Sequence, residues 1–198
     1  MKILIVDASI SKDSVSRRLL TEARALLERM GGSFSYLRLS DFSDRLVPLN
    51  EKTLSFRTEA IQKGDYSSPM FDFAKGLTKA DLILLSSPFY DLSVSALLKC
   101  YIEQTMVNGL TFLDLGDHAK GLLKAKRLLF LSVSGYSFSE RNPDFATPYV
   151  EAIADMWGIP SFRSLHFERK DVPLNEEKSQ ELQGTLKWLL QERNEYGN

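Results

Sequence analysis

The sequence holds one cysteine, Cys100, and therefore no internal disulfide. The simplest expectation is a reducing compartment, the cytoplasm. Excess charge is missing too: 25 Lys and Arg stand against 26 Asp and Glu, a net charge of −1. That balance offers no broad basic face, so neither nucleic acid nor an anionic membrane is expected as a partner. Long apolar runs are absent. None approaches the roughly 18 residues of a membrane span, and "MKILIV" is too short for a secretory core. The two histidines, His118 and His166, lie far apart without metal-ligand spacing, so no metal site is expected. Repeats, low-complexity tracts and shifts in composition are lacking as well. What remains is 43% apolar and 26% charged over 198 residues, the composition of one soluble globular domain, 1–198.

The segments that are present alternate between strand and helix. "KILIV" (2–6), "DLILLSS" (81–87) and "RLLFLSVS" (127–134) are continuous apolar runs, as in strands buried on both faces. "FSYLRL" (34–39) and "SFRSLHFE" (161–168) read as two further strands. Leu19, Ala23, Leu26 and Met30 recur at helical spacing within 14–30, and Gly31-Gly32 stops that helix. Further helices are expected at 93–106 and 144–157, and from about Asn175, with Leu182, Leu186, Leu189 and Leu190 on one face. Two segments fit less well. The stretch 41–78 is long for one connection, with "KGDYSSP" as a loop and "FDFAKGL" as a helix. The stretch 109–126 is too polar for core and reads as a flap or short hairpin.

Five buried strands alternating with helices imply an α/β, doubly wound, parallel sheet with helices on both faces. The dinucleotide-binding order would need a G-x-G-x-x-G first turn, whereas this one reads "DASISKDSVS" with no glycine. The flavodoxin-like order, 2-1-3-4-5, is the better match. Its ligand edge lies at the C-terminal ends of the strands, where three loops converge.

The first loop carries Ser9, Ser11, Ser14 and Ser16 ahead of a helix N-terminus. Free N–H groups, a positive dipole end and hydroxyls suit a phosphate, with Arg17 to help neutralise it. The plainer alternative is that Ser14 caps the helix and the others are solvated. In the second loop a flat aromatic ligand could pack on Pro88–Leu92 between Phe89 and Tyr90, unless these rings only fill core. In the third, Gly135 allows close backbone approach between Ser134 and Tyr136, or merely forms a turn.

"SSPFYDLSVSALLKCYIE" followed by "NGLTF" resembles the flavin-dependent NAD(P)H:quinone oxidoreductase and azoreductase family, with its P-x-Y-N-F-x, L-K-x-Y-x-D and G-x-T-F pattern. The serine-bearing first loop, the Ser/Gly loop after the fourth strand and "TPYVEAIADMWGI" extend the likeness over most of the chain. The resemblance implies a homodimer of flavodoxin-like subunits, each holding FMN non-covalently at the subunit interface. A hydride would pass from NADH or NADPH through FMN to a small aromatic acceptor, a quinone, azo or nitroaromatic compound, in a ping-pong cycle. By the same resemblance Ser9, Ser14 and Ser16 would hold the phosphate. Pro88, Phe89, Tyr90, Asp91 and Leu92 would line the isoalloxazine, and Ser134, Gly135 and Tyr136 would face its pyrimidine side. Asp91 and Ser93 stand where the family has asparagine, and Gly135-Tyr136 where it has Gly-Gly.

Such chemistry resides in the cofactor, so no catalytic side chain is expected. His166, between Leu165 and Phe167 on a strand, reads as structural. His118 reads as a solvated loop residue and Cys100 as packed inside a helix. A flavodoxin-like binding module without flavin activity is the main alternative. A serine hydrolase lacks both the G-x-S-x-G elbow and a plausible histidine and acid.

Overall fold

The structure, a computed structural model, describes residues 1–191; residues 192–198 of the expected unit lie outside the described residues. The central sheet is built from β1 (Ile3–Asp7), β2 (Phe34–Arg38), β3 (Leu82–Tyr90), β7 (Arg127–Ser134) and β8 (Phe162–Glu168). They lie in the order β2-β1-β3-β7-β8, all parallel, which is the expected 2-1-3-4-5 arrangement. All five residues of β1 are buried, as are the first seven of β3. Aliphatic side chains fill both faces of these strands, which is why they read as unbroken apolar runs.

Alternation along the strands divides the core in two. Ile3, Ile5, Leu129, Leu131, Leu165 and Phe167 face α1 (Val15–Arg29) and α6 (Glu176–Leu190), where Leu19, Leu27, Leu182, Leu186 and Leu189 meet them. Leu4, Val6, Ile83, Leu85, Leu128 and Phe130 face the other way. There they pack on α3 (Asp72–Leu77), α4 (Ala96–Thr105) and α5 (Ala146–Met156), with Tyr101 and Trp157 fully buried. Burial of a large apolar side chain stabilises by roughly 1.5–3 kcal/mol, so these two layers carry the fold. The helix starts follow local chemistry. Ser14, Ser95 and Asn175 each accept a hydrogen bond from the main-chain N–H three residues on.

Two segments differ from expectation. The long connection 41–78 contains a helix the sequence did not announce, α2 (Glu51–Gln62), opened by a reciprocal Asn50–Thr53 capping box. Its buried residues are only Arg57 and Ala60, so no apolar stripe betrays it. The helix expected at 93–106 starts later. Ser93–Val94 (β4) first turn back to pair with Phe89–Tyr90, and Ser95 then caps α4. The stretch 109–126 holds the short hairpin of β5 (Phe112–Asp114) and β6 (Ala119–Gly121), with His118 exposed near its tip beside Asp117.

Candidate functional site

The first loop leaves β1 at Asp7, which is buried without access to water. Three donors converge on its carboxylate: Arg17 Nε at 3.0 Å, Tyr36 Oη at 2.5 Å and the main-chain N–H of Ser9 at 2.8 Å. Arg17 also donates to the Ser9 carbonyl at 2.9 Å. The expectation that Arg17 helps neutralise a ligand anion is therefore corrected: its guanidinium is turned inward, because the buried Asp7 carboxylate needs a counter-charge. Burial, with the hydrogen bond and negative charge of Asp7, raises the Tyr36 phenol to about 12. The loop is thus pinned from below, and Ser14 and Ser16 start α1 above it. Arg18, which the sequence reading passed over, lines the cleft beside them.

The second loop is the end of β3. Tyr90 pairs with Ser93 across Asp91 and Leu92, whose φ angles are 49° and 68°. Two consecutive left-handed residues define a hairpin turn of the primed type, which glycine or asparagine adopts cheaply. Aspartate tolerates this region as asparagine does, so the cost of roughly 1–2 kcal/mol falls on Leu92. The surroundings hold the turn: Phe145 N–H donates to the Leu92 carbonyl at 3.0 Å, and Ser95 N–H to Ser87 Oγ at 3.2 Å.

The third loop leaves β7 at Ser134. Its hydroxyl donates to the Tyr136 carbonyl and lies 3.0 Å from His166 Nε2; Ser137 Oγ lies 2.6 Å from Glu168. A Cβ added at Gly135 would meet nothing within 4 Å, so the backbone there borders open space.

The three loops enclose one cleft of about 430 Å³. Ser14, Ser16, Pro88, Phe89, Tyr90, Ser134 and Gly135, all singled out from the sequence, line it together, with Ser11 beside them. Asp13, Val15, Arg18, Val133 and Arg169 complete the lining. Arg169 follows the last strand, and nothing in the local sequence distinguishes it from a solvated arginine. The remaining expected residues are placed otherwise. Ser9 lies beneath the loop, its hydroxyl buried and without a hydrogen-bond partner among the described residues. Asp91 lines a neighbouring depression with Ile10, Tyr90 and Tyr149, Leu92 is half-buried in the turn, and Tyr136 is 80% exposed.

Chemically, the cleft joins two different ends. One is polar, with hydroxyls, the N–H groups of Val15 and Ser16 at the start of α1, and Arg18 beside Asp13: an anion site. The other is a slot between aromatic rings and bare backbone, suited to a flat heteroaromatic ring. A second cavity, about 250 Å³ beside Arg45 and Arg57, offers no such chemistry. Its arginines donate to the main-chain carbonyls of Pro69, Glu103 and Met106.

Comparison with known proteins identifies the family and the fold. The model of a family described as having a flavodoxin-like fold matches residues 1–191. An FMN-dependent NADH:quinone oxidoreductase of Stenotrophomonas maltophilia is 30% identical over 162 residues, 80% of each chain. One from Beijerinckia indica is 26% identical over 181 residues, 87% of this chain and 90% of that protein. Among solved structures, an FMN-dependent NADH-azoreductase from Bacillus anthracis in complex with FMN superposes with a TM-score of 0.77. It is 19% identical, with 96% of this chain and 100% of that one covered, a likeness of fold. From the full-length family match and these relatives, the chain belongs to the flavodoxin-like-fold family that includes the FMN-dependent NADH:quinone oxidoreductases.

Proposed function

We propose that the protein is an FMN-dependent oxidoreductase that passes a hydride from NADH or NADPH, through bound FMN, to quinone, azo or nitroaromatic acceptors. The observation that carries this reading is the single cleft in which an anion-binding helix start meets an aromatic and backbone-lined slot. FMN has the same two parts, a phosphate and a flat ring. The names of the curated relatives support the same cofactor and reaction. The residues present fit the group: Ser9 Oγ is a buried hydroxyl without a partner among the described residues, and Gly135 leaves room for a ring against the main chain.

In this reading Ser9, Ser14, Ser16 and the N–H groups of the first turn hold the phosphate, with Arg18 supplying charge. Pro88, Phe89, Tyr90, Asp91 and Leu92 border the ring, mostly through the main chain. Ser134, Gly135 and Tyr136 approach its pyrimidine side. When bound, FMN supplies the redox chemistry, accepting and donating the hydride in two half-reactions; the chain itself orients the ring and its partners and excludes water. Ile10 and Tyr90, in the depression beside the cleft, and Phe145, bonded to the Asp91–Leu92 turn, are each about half exposed, which supports a homodimer in which a second copy covers them. The lone cysteine supports a cytoplasmic setting. No helix among the described residues is long and apolar enough to cross a membrane.

The test is reconstitution. Purified protein incubated with FMN and desalted is expected to keep a flavin absorption band and to oxidise NADH when a quinone is supplied. Failure to retain FMN would overturn the reading in favour of a flavin-free binding module.

A further inference from the structure

The β8 strand places Leu165 and Phe167 on the α1/α6 side and His166 on the other, in register with Ser132 of β7. The imidazole sits across two serines of that strand, with Nδ1 2.8 Å from Ser132 Oγ and Nε2 3.0 Å from Ser134 Oγ. Phe138, from the third loop, covers the ring with centroids 4.0 Å apart and planes 30° from parallel. Phe89, from the second loop, meets Phe138 at 5.0 Å and the imidazole edge-on at 6.3 Å. One side chain that the reaction does not use therefore joins two walls of the cleft.

The hydrogen bonds dictate its protonation. The Ser134 hydroxyl has one proton and donates it to the Tyr136 carbonyl. Toward His166 its oxygen can only accept, so Nε2 carries the hydrogen. In the neutral ring Nδ1 is then bare and accepts from the Ser132 hydroxyl, and every donor has an acceptor. The cation would add a second N–H aimed at Ser132. That hydroxyl would have to turn its proton away inside a site where Ser132 and Ser134 are 2% and 3% exposed.

We propose that His166, as the neutral Nε2–H tautomer, is a positioning residue that holds the Ser134–Tyr136 segment and the Phe89–Phe138 wall in the shape that receives the flavin ring. The proposal rests on the FMN reading above. Asp144 before α5, Glu168 at the end of β8 and Asp171 in the turn after it favour the cation, whereas Phe89, Ser132, Ser134 and Phe138 carry no charge. Burial outweighs those carboxylates and holds the imidazole below its ordinary value of 6.5. Acidification through that lowered value breaks the Ser132 match, leaves the imidazole held only by Ser134, and so loosens the support under the segment.

Flavin-free, isotope-labelled protein titrated by NMR is expected to show the Nε2–H tautomer at neutral pH. The Gly135 and Tyr136 amide shifts should move at the His166 midpoint. Riboflavin, which has no phosphate to titrate, should bind about tenfold more weakly below that midpoint. His166→Gln keeps a donor and an acceptor but does not titrate, and should hold riboflavin affinity constant across it. His166→Phe keeps the stack, loses both bonds and should bind about tenfold more weakly at neutral pH. An Nδ1–H tautomer, unmoved Gly135 and Tyr136 amides, or a folded His166→Phe protein that binds riboflavin as tightly as wild type would overturn the proposal. If His166→Phe fails to fold, the wild-type titration and His166→Gln decide. A wild-type protein that binds no flavin overturns the FMN reading alone, and the flavin-free titration still decides the role of His166.

Discussion

Asp7 shows how one buried charge can organise a loop that binds something else. Its carboxylate is held by Arg17, Tyr36 and the Ser9 N–H, so its removal leaves a guanidinium with little access to water and no counter-charge. Breaking such a pair on one side typically costs about 3–5 kcal/mol. Asp7→Asn keeps a carbonyl acceptor and should lie near the lower bound, measured by urea unfolding. The Tyr36 phenol should titrate below about 12 in that variant; burial remains its largest cause, so tyrosinate absorbance should show only a partial return to ordinary values. Ser16, buried in the cleft lining, tests the ligand site, with urea unfolding of the same variant reporting any cost to the fold. Ser16→Asp sets a carboxylate against the proposed phosphate and should weaken FMN binding by about 1–3 kcal/mol in fluorescence titrations. Asp91 provides the opposite sign. At φ 49° glycine avoids what left-handed penalty aspartate still pays, so Asp91→Gly should stabilise by no more than about 0.5 kcal/mol after the entropy of glycine is offset. A lowered thermal midpoint would show that the carboxylate makes a contact worth more than the strain.

At the scale of elements, the β5–β6 hairpin reaches the body of the protein through two glycines. A Cβ on Gly121 would stand 2.0 Å from the main-chain nitrogen of Gly158, which itself has φ 77° at the end of α5. Leu123 N–H donates to the Trp157 carbonyl at 3.2 Å beside this contact. No rotamer change relieves a clash between two backbones. Gly121→Ala should therefore push the hairpin off α5, with faster amide exchange across Phe112–Gly121 and a loss of about 1–3 kcal/mol. The polar helix α2 is attached by a different device. Arg57 donates to the Glu103 and Met106 carbonyls at the C-terminal end of α4, placing positive charge where the helix dipole favours it.

For the molecule as a whole, one pH-dependent contribution to stability near neutrality follows from His166. Its folded value lies below 6.5, so the unfolded chain takes up the proton first as pH falls. That contribution is complete above the unfolded value and is lost as pH falls from about 6.5 to the lower folded value. His166→Gln should remove that part of the slope in denaturant titrations at successive pH values. The exposed apolar residues Ile10, Tyr90 and Phe145, beside the Asp91–Leu92 turn, lead to a second whole-molecule expectation. Light scattering should give twice the chain mass, and replacing both Ile10 and Phe145 with serine should shift it toward the monomer. A monomer with bound flavin and full activity would sink the dimer.

The sheet and its order were legible because buried parallel strands must be apolar on both faces, so "KILIV", "DLILL" and "RLLFL" declare themselves. The strand-helix bends likewise placed seven of the expected site residues in one cleft, since topology sends those loops to a single edge. Helix α2 was not legible, because an arginine bonded to carbonyls leaves no hydrophobic period. The direction of Arg17 was decided by the burial of Asp7, and Arg169 reached the cleft by way of the last strand. His166 shows the division most clearly. Alternation in "SLHFE" determined that it points away from Leu165 and Phe167, a matter of local geometry. What it meets there, two serines of a neighbouring strand and an aromatic ring from a distant loop, was decided by strand register and loop packing, which bring together residues far apart in the chain.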